Sequence, residues 1–278
     1  MQIRTHFEDG KYFECNIPND DVEVLPGVTW GSASTPYTPA FWRLACVANG
    51  AIIDQNRYRL GASLKEEVVA CLLGGHGVTG ELGLAAYNHL RKNNVVDQPL
   101  SAEHIERLLS EPLIVGERLI RYRYPRQKAK YISAAIEYLN SNSPPEGCGK
   151  ALRDWLIAVP GIGYKTASWI ARNWLDARDI AILDIHIHRA GVLAGIFAPN
   201  DDVRKDYLRM EEQFVSLADG IGIPANILDN QIWNEMRLSP RLVRQMLTDC
   251  GVTSIDRCGL PPANNRSTGR NNDLFATA

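Results

Sequence analysis

From Pro39 onward, apolar residues recur at three- and four-residue spacing, the period of a helix that buries one stripe. The spacing predicts about eleven helices, near 39–49, 64–73, 79–92, 101–110, 126–140, 149–159, 164–175, 184–194, 202–218, 224–236 and 239–249. Ser63, Ser101, Asp184 and Ser239 stand at helix starts, where a side-chain oxygen can accept an otherwise unpaired first-turn amide. The opening of the chain differs. Strand-forming residues from Ile3 to Ile17 flank Asp9-Gly10, a two-residue hairpin signal, and Pro18, Pro26 and Gly27 follow. Asn140-Ser-Asn-Ser-Pro-Pro-Glu-Gly marks a loop, and the polar run after Pro261 has no period and is expected to be flexible. The expected organisation is a β-hairpin extension at 1–38, a helical body at 39–260 and a tail at 261–278, with no internal repeat.

At 278 residues and 45% hydrophobic content, the chain can bury one sizeable core or two abutting ones. Its longest apolar runs, Ile180-Ala-Ile-Leu and Val192-Leu-Ala-Gly-Ile-Phe, fall far below the roughly 20 residues that cross a bilayer. With no charged-then-apolar start either, a cytoplasmic protein without membrane association is expected. Cys15, Cys46, Cys71, Cys148, Cys250 and Cys258 form no C-x-x-C pair, which favours reduced thiols over a metal cluster. A formal net charge of −2 carries no bulk signature of nucleic-acid binding. A local one exists: Arg118, Arg121, Arg123, Arg126, Lys128 and Lys130 follow one another without an acidic residue, interleaved with Tyr122 and Tyr124. Alone, such a run is usually a solvated face. Beside a phosphate-binding hairpin it reads as DNA contact.

That hairpin is predicted at 151–175. Leu152, Trp155, Leu156 and Val159 share one helical face, and Pro160-Gly161-Ile162-Gly163 then turns the chain. Glycines let backbone amides approach a phosphate, and the next helix N-terminus favours negative charge. In the following helix Ala167, Ile170, Ala171 and Trp174 form the apolar face, with Lys165, Trp169 and Arg172 opposite. A surface lysine and a tryptophan buried under another element is one account of that face; a reactive amine beside an aromatic wall is the other. Asp184, in Ala181-Ile-Leu-Asp-Ile-His, stands at a helix N-cap, and its two oxygens allow capping and a second role at once. Displacing a base from its sugar can draw on both groups. A carboxylate stabilises the oxocarbenium-like state, and an amine attacking C1′ forms a Schiff base. A first-turn position with partial desolvation would favour the neutral, nucleophilic amine of Lys165. Asp229 and Trp233, at i and i+4, offer either a polar contact and a stacking platform for a flipped base or an ordinary amphipathic core helix.

Val159-Pro-Gly-Ile-Gly-Tyr-Lys-Thr-Ala and Ala181-Ile-Leu-Asp-Ile-His resemble the helix-hairpin-helix (HhH-GPD) DNA glycosylase superfamily, and most of all its compact archaeal and bacterial 8-oxoguanine DNA glycosylase/AP lyases. Arg123-Tyr-Pro-Arg-Gln-Lys-Ala-Lys-Tyr-Ile, Glu67-Val-Val-Ala-Cys-Leu-Leu and Leu228-Asp-Asn-Gln-Ile-Trp extend the likeness over residues 64 to 236. The resemblance implies a mainly α, two-lobed HhH-GPD fold with the active cleft between its lobes, here with a small N-terminal β element. It implies a bifunctional enzyme that excises a damaged or modified base, 8-oxoguanine first, and then cleaves the strand by β-elimination. Lys165 would be the nucleophile and Asp184 its carboxylate. Trp169, Asp229 and Trp233 would form the base pocket, and Gly161, Gly163, His186, Arg123, Arg126 and Lys128 would hold the DNA backbone; a water-facing helix-start histidine is the other reading of His186.

In Gly74-Gly-His-Gly, His76 would probe the strand as a wedge, or the segment is a flexible turn. The partner implied is double-stranded DNA carrying a modified base or abasic site, bound by a monomer at the nucleoid of a prokaryote. No cofactor is expected beyond a monovalent or divalent structural cation on the hairpin carbonyls. Two departures bear on substrate: the amide residues of the probing segment are missing, and the chain runs on past Trp233, so the relatives' terminal base contact does not carry over. The alternatives are a monofunctional glycosylase for another base, including a hypermodified one in foreign DNA, and an inert hairpin that only binds DNA.

Overall fold

A computed structural model describes residues 1–8, 11–49, 58–75, 77–98 and 100–252. The Asp9-Gly10 turn, His76, Cys258 and the tail at 261–278 lie outside the described residues. The chain starts with antiparallel β1 (Gln2–Glu8) and β2 (Lys11–Ile17), in a register that sets Gln2 opposite Ile17 and Glu8 opposite Lys11. A second small pair, β3 (Glu23–Leu25) and β4 (Val28–Thr29), closes around Gly27 at φ +75°. Then come α1 (Pro39–Ala48), α2 (Leu64–Leu73), α3 (Gly80–Lys92) and α4 (Ala102–Ser110). The antiparallel pair β5 (Pro112–Val115) and β6 (Arg118–Arg121) interrupts them. Next are α5 (Pro125–Ser141), α6 (Gly149–Leu156), α7 (Tyr164–Leu175) and α8 (Ile185–Leu193). The series ends with α9 (Tyr207–Gly220), α10 (Ala225–Leu238) and α11 (Pro240–Asp249). Each predicted helix is present. The β5–β6 hairpin was not expected, although Gly116 at φ +58° followed by Glu117 is a two-residue turn signal.

Local chemistry sets the helix ends. Thr38, Ser63, Thr79 and Ser101 each accept an amide from the first turn of α1 to α4. Ser239 precedes α11 as expected, but its hydroxyl donates to Glu235 Oε1 at 3.3 Å instead of capping, and Pro240 opens the helix. The helix expected from 202 begins only at Tyr207, because Asp202 accepts the Arg204 amide at 2.9 Å and folds that stretch as a turn.

The chain divides into two compact units. One holds the described residues up to Asn49 together with those from Arg178 onward. Its centre is Trp42, stacked on Tyr37 at 5.6 Å and met edge-on by Phe41 at 5.1 Å. Met210, Phe214 and Leu217 of α9, Leu228, Ile232 and Met236 of α10, and Val243 and Leu247 of α11 complete it at helical spacing. The other unit runs from residue 58 to Ala177 and packs α3, α5 and α7 around α2. Every residue of α2 from Glu67 to Leu73 is buried, so that stretch has no solvent face. Each buried valine or leucine there contributes about 1.5–3 kcal/mol. Among the described residues no helix is long and apolar enough to cross a membrane, and the five described cysteines are free.

Candidate functional site

In the second unit, α6 and α7 form the expected helix-hairpin-helix. After Leu156 the chain winds through turns, with Val159 donating to Leu156 O and Ile162 to Val159 O. Gly161 sits at φ +86°, and a Cβ there would lie 2.3 Å from Cγ of Tyr131 on α5. Both conformation and packing therefore demand glycine. Gly163 differs: it precedes α7 with extended backbone, and a Cβ there would meet open space. The amides of Gly163, Lys165 and Thr166 make no hydrogen bond among the described residues, which leaves a concentration of donors at a helix N-terminus. Lys165 is exposed, with no hydrogen bond or ion pair among the described residues. The partial desolvation expected for it is not found.

Trp169, one turn further along α7, is half-buried, with its ring edge against Gly74. Gly74 ends α2; its own carbonyl and those of Leu72 and Leu73 accept from the basic segment. Lys128 Nζ donates to Leu72 O and, at 2.9 Å, to Gly74 O, while Tyr122 Oη donates to Leu73 O at 2.6 Å. Lys128, expected on the DNA backbone, is thus turned into the protein as a cation on a helix C-terminus. Burial lowers its pKa from the ordinary lysine value. Arg123 and Arg126 are exposed as expected; the Arg123 guanidinium lies 5.2 Å from the Tyr124 ring and packs against Gly77. Neither arginine has a carboxylate partner among the described residues.

The α7 face carrying Lys165 conceals a polar anchor that its apolar pattern does not reveal. Asn173, 4% exposed, donates to Glu67 Oε1 at 2.8 Å. The other Glu67 oxygen accepts the amides of Leu60 and Gly61 at 2.7 and 2.9 Å, and Cys71 Sγ approaches Oε1 at 3.7 Å. A fully buried carboxylate is tolerable because its oxygens are bonded. The Cys71 thiol is pushed well up by burial and by that carboxylate. Arg172 lies 4.6 Å from the Tyr58 ring, and Arg59 lies 4.4 Å from that of Trp174.

In the first unit, Asp184 caps α8. Its Oδ1 accepts both the His186 and Ile187 amides, at 2.7 and 3.0 Å, and Oδ2 makes no hydrogen bond among the described residues. One oxygen does the capping and the other is left over, as the sequence allowed. The residues leading to Asp184 lie outside helix and strand and are held by side chains of other elements. Ala181 N donates to Glu211 Oε1 at 3.2 Å and Ile182 N to Asp229 Oδ2 at 3.3 Å. Leu183 N donates to Tyr207 Oη at 3.3 Å, and that hydroxyl donates to Ala181 O at 2.8 Å. Glu211, Tyr207 and Asp229 are all buried. Asp229, expected to read a base, here fixes backbone; Tyr207 and Glu211 give no sequence signal because single polar residues on apolar helices have no period. Trp233, one turn beyond Asp229, is half-buried with the Arg237 guanidinium 4.7 Å from its ring centre. His186 is half-buried in the first turn of α8.

Over residues 54–223 the chain matches the Ogg-HhH family model, that of 8-oxoguanine DNA glycosylase. It is 28% identical over 118 residues to the 8-oxoguanine DNA glycosylase/AP lyase of Metallosphaera sedula, a match covering 40% of this chain and 57% of that protein. It is 28% identical over 179 residues to the protein of the same name from Thermoplasma volcanium, covering 62% of this chain and 78% of that one. The chain thus spans little more than half of the Metallosphaera relative's length. Among solved structures it resembles the 8-oxoguanine DNA glycosylase of Methanocaldococcus jannaschii, with a TM-score of 0.55 and 23% identity over 72% of this chain and 94% of that one. At that identity the likeness is one of fold.

Proposed function

The chain belongs to the 8-oxoguanine DNA glycosylase family, and on that premise we propose that it is a bifunctional DNA glycosylase/AP lyase acting on duplex DNA, with 8-oxoguanine its first candidate base. The observation that carries this reading is Lys165: an exposed, unpartnered amine in the first turn of α7, beside amides that have no partner of their own. Those amides, with Gly161 and Gly163, take a backbone phosphate; His186, Arg123 and Arg126 add contacts to the same polyanion. Trp169 and Trp233 are assigned as stacking surfaces for a flipped base, and Asp229 as a contact to its edge.

The neutral amine of Lys165 attacks C1′ as the C1′–N bond breaks, and the base leaves with the bonding pair and acquires a proton. The Asp184 carboxylate, through Oδ2, stabilises the positive charge developing on the sugar. Ring opening gives a Schiff base between Lys165 Nζ and C1′. Loss of a C2′ proton then expels the 3′-phosphate, and water releases the lysine. The scheme uses no metal for chemistry. A monovalent or divalent cation on the hairpin fits the donors there, since the carbonyls of Pro160, Gly161 and Ile162 accept no backbone hydrogen bond among the described residues. Acting on DNA as a monomer, the protein would work at the nucleoid.

The test is borohydride trapping on duplexes carrying 8-oxoguanine, other oxidised bases, uracil, alkylated bases and hypermodified cytosines. A covalent adduct formed by the native protein and lost in Lys165→Gln supports the reading. Base release without an adduct would make the protein monofunctional, binding without release would make it a DNA-binding module, and release of a different base would correct the substrate alone.

A further inference from the structure

Hydrophobic side chains that stay in water need a reason when they are paired across a hairpin that also carries basic residues. On the β5–β6 hairpin, Ile114 and Leu119 are 74% and 71% exposed and stand directly opposite each other across the strands. Their neighbours Leu113 and Val115 point inward and are buried, so the hairpin is anchored by one face and offers the other. Arg121 lies on that offered face, opposite Pro112, and Arg118 is exposed at the turn end. Arg118 and Arg121 have no carboxylate partner among the described residues, and Arg123 and Arg126 continue the basic run toward α5. Acids border the hairpin as well: Glu106 and Glu111 beside Pro112, the latter 3.0 Å from His89 Nε2, and Glu117 in the turn.

We propose that this face is a DNA-binding element in its own right, in which the Ile114–Leu119 pair wedges into a duplex groove while Arg118 and Arg121 engage the phosphates on its edges. Two side chains offer far less than the roughly 800 Å² per partner that a stable protein interface requires. They are the right size for a wedge: apolar residues inserted at a base step, with cations on the flanking phosphates, are a recurrent way to grip DNA without reading sequence. A short antiparallel ribbon is also narrow enough to enter a groove. The idea rests on the reading that duplex DNA is the partner, and it adds a contact separate from the hairpin of α6 and α7.

Binding to an undamaged duplex, followed by anisotropy over a salt series, tests it without requiring excision. Ile114→Ser with Leu119→Ser should weaken binding about tenfold and leave the salt slope unchanged, because an apolar contact releases no counterions. Arg118→Ala with Arg121→Ala should weaken it too and reduce the log–log slope by about 1.8, the value for two phosphates. The reciprocal swap Ile114→Leu with Leu119→Ile should restore native affinity, and 2-aminopurine in the duplex should brighten with the native protein but not with the serine pair. Affinity unchanged in the serine pair would overturn the proposal. So would a native dimer that becomes monomeric in that variant, since the face would then join two copies. Intact duplex binding without excision would count against the catalytic reading alone; no duplex binding at all would sink both.

Discussion

Asp229 Oδ2 accepts the amide of Ile182 at 3.3 Å, tying α10 to the extended segment that ends at Asp184. A carboxylate read from sequence as a base contact is at the same time a brace for the backbone that carries another carboxylate. Asp229→Ala would orphan that buried amide, at a cost of about 1–3 kcal/mol. A melting temperature lowered by roughly 2–4 °C for each kcal/mol is expected, with Asp229→Asn closer to native because it keeps an acceptor. Native melting of the alanine variant would show that the bond contributes nothing.

The two hairpin glycines should respond differently to alanine. At Gly161 a Cβ meets the Tyr131 ring and the backbone lies at φ +86°, so Gly161→Ala should cost more than about 2 kcal/mol, and trimming Tyr131 to alanine should recover only the steric part. At Gly163 there is open space and an extended backbone, so Gly163→Ala should stay within about 0.5 kcal/mol of native stability while weakening DNA binding. Chemical denaturation and anisotropy together separate the two; equal stability losses would contradict the geometry.

Lys128 and Arg126 make a second contrast. Lys128→Met removes a charged donor from two carbonyls and should destabilise by about 1.5–3 kcal/mol without altering the salt slope of DNA binding. Arg126→Ala should leave stability alone and lower that slope by about 0.9. A reduced slope in Lys128→Met would return the lysine to the DNA.

His188 gives a pH signature. It is 3% exposed, and burial lowers its pKa below the ordinary 6.5, against Asp201, Asp202 and the Ala198 backbone, which favour the charged form; Arg189 acts with burial. As pH falls below 6.5 the unfolded chain takes up this proton before the folded one does, so stability is present above that value and lost on the way down through the folded pKa. His188→Leu should flatten the stability profile below pH 6.5; an unchanged slope would mean that the carboxylates alone set it.

Helices were legible because their stripes are long and repetitive: α7 declares itself through Ala167, Ile170 and Ala171 whatever else it carries. The β5–β6 pair was not, because four-residue strands embedded in a basic run look like the approach to α5, and only Gly116-Glu117 betrayed the turn. Of the candidate site, Lys165 and Asp184 occupy the helix-start positions expected of them. What the pattern does not encode is which partner a polar group chooses. Lys128 and Arg126 are two steps apart on one helix, yet one serves the carbonyls of α2 and the other faces water. Glu67 is buried with Asn173, a pairing fixed by tertiary proximity alone.

Asp184 caps α8 with a single oxygen, and that has a genetic meaning. Asparagine keeps an equivalent oxygen for the two amides and replaces only the unbonded one, so inactivation need not bring misfolding with it. On the role proposed for Asp184, a cell carrying Asp184→Asn would accumulate an intact protein that still binds DNA without releasing a base. Such an allele is expected to be dominant, shielding lesions from other repair, whereas a deletion would be recessive.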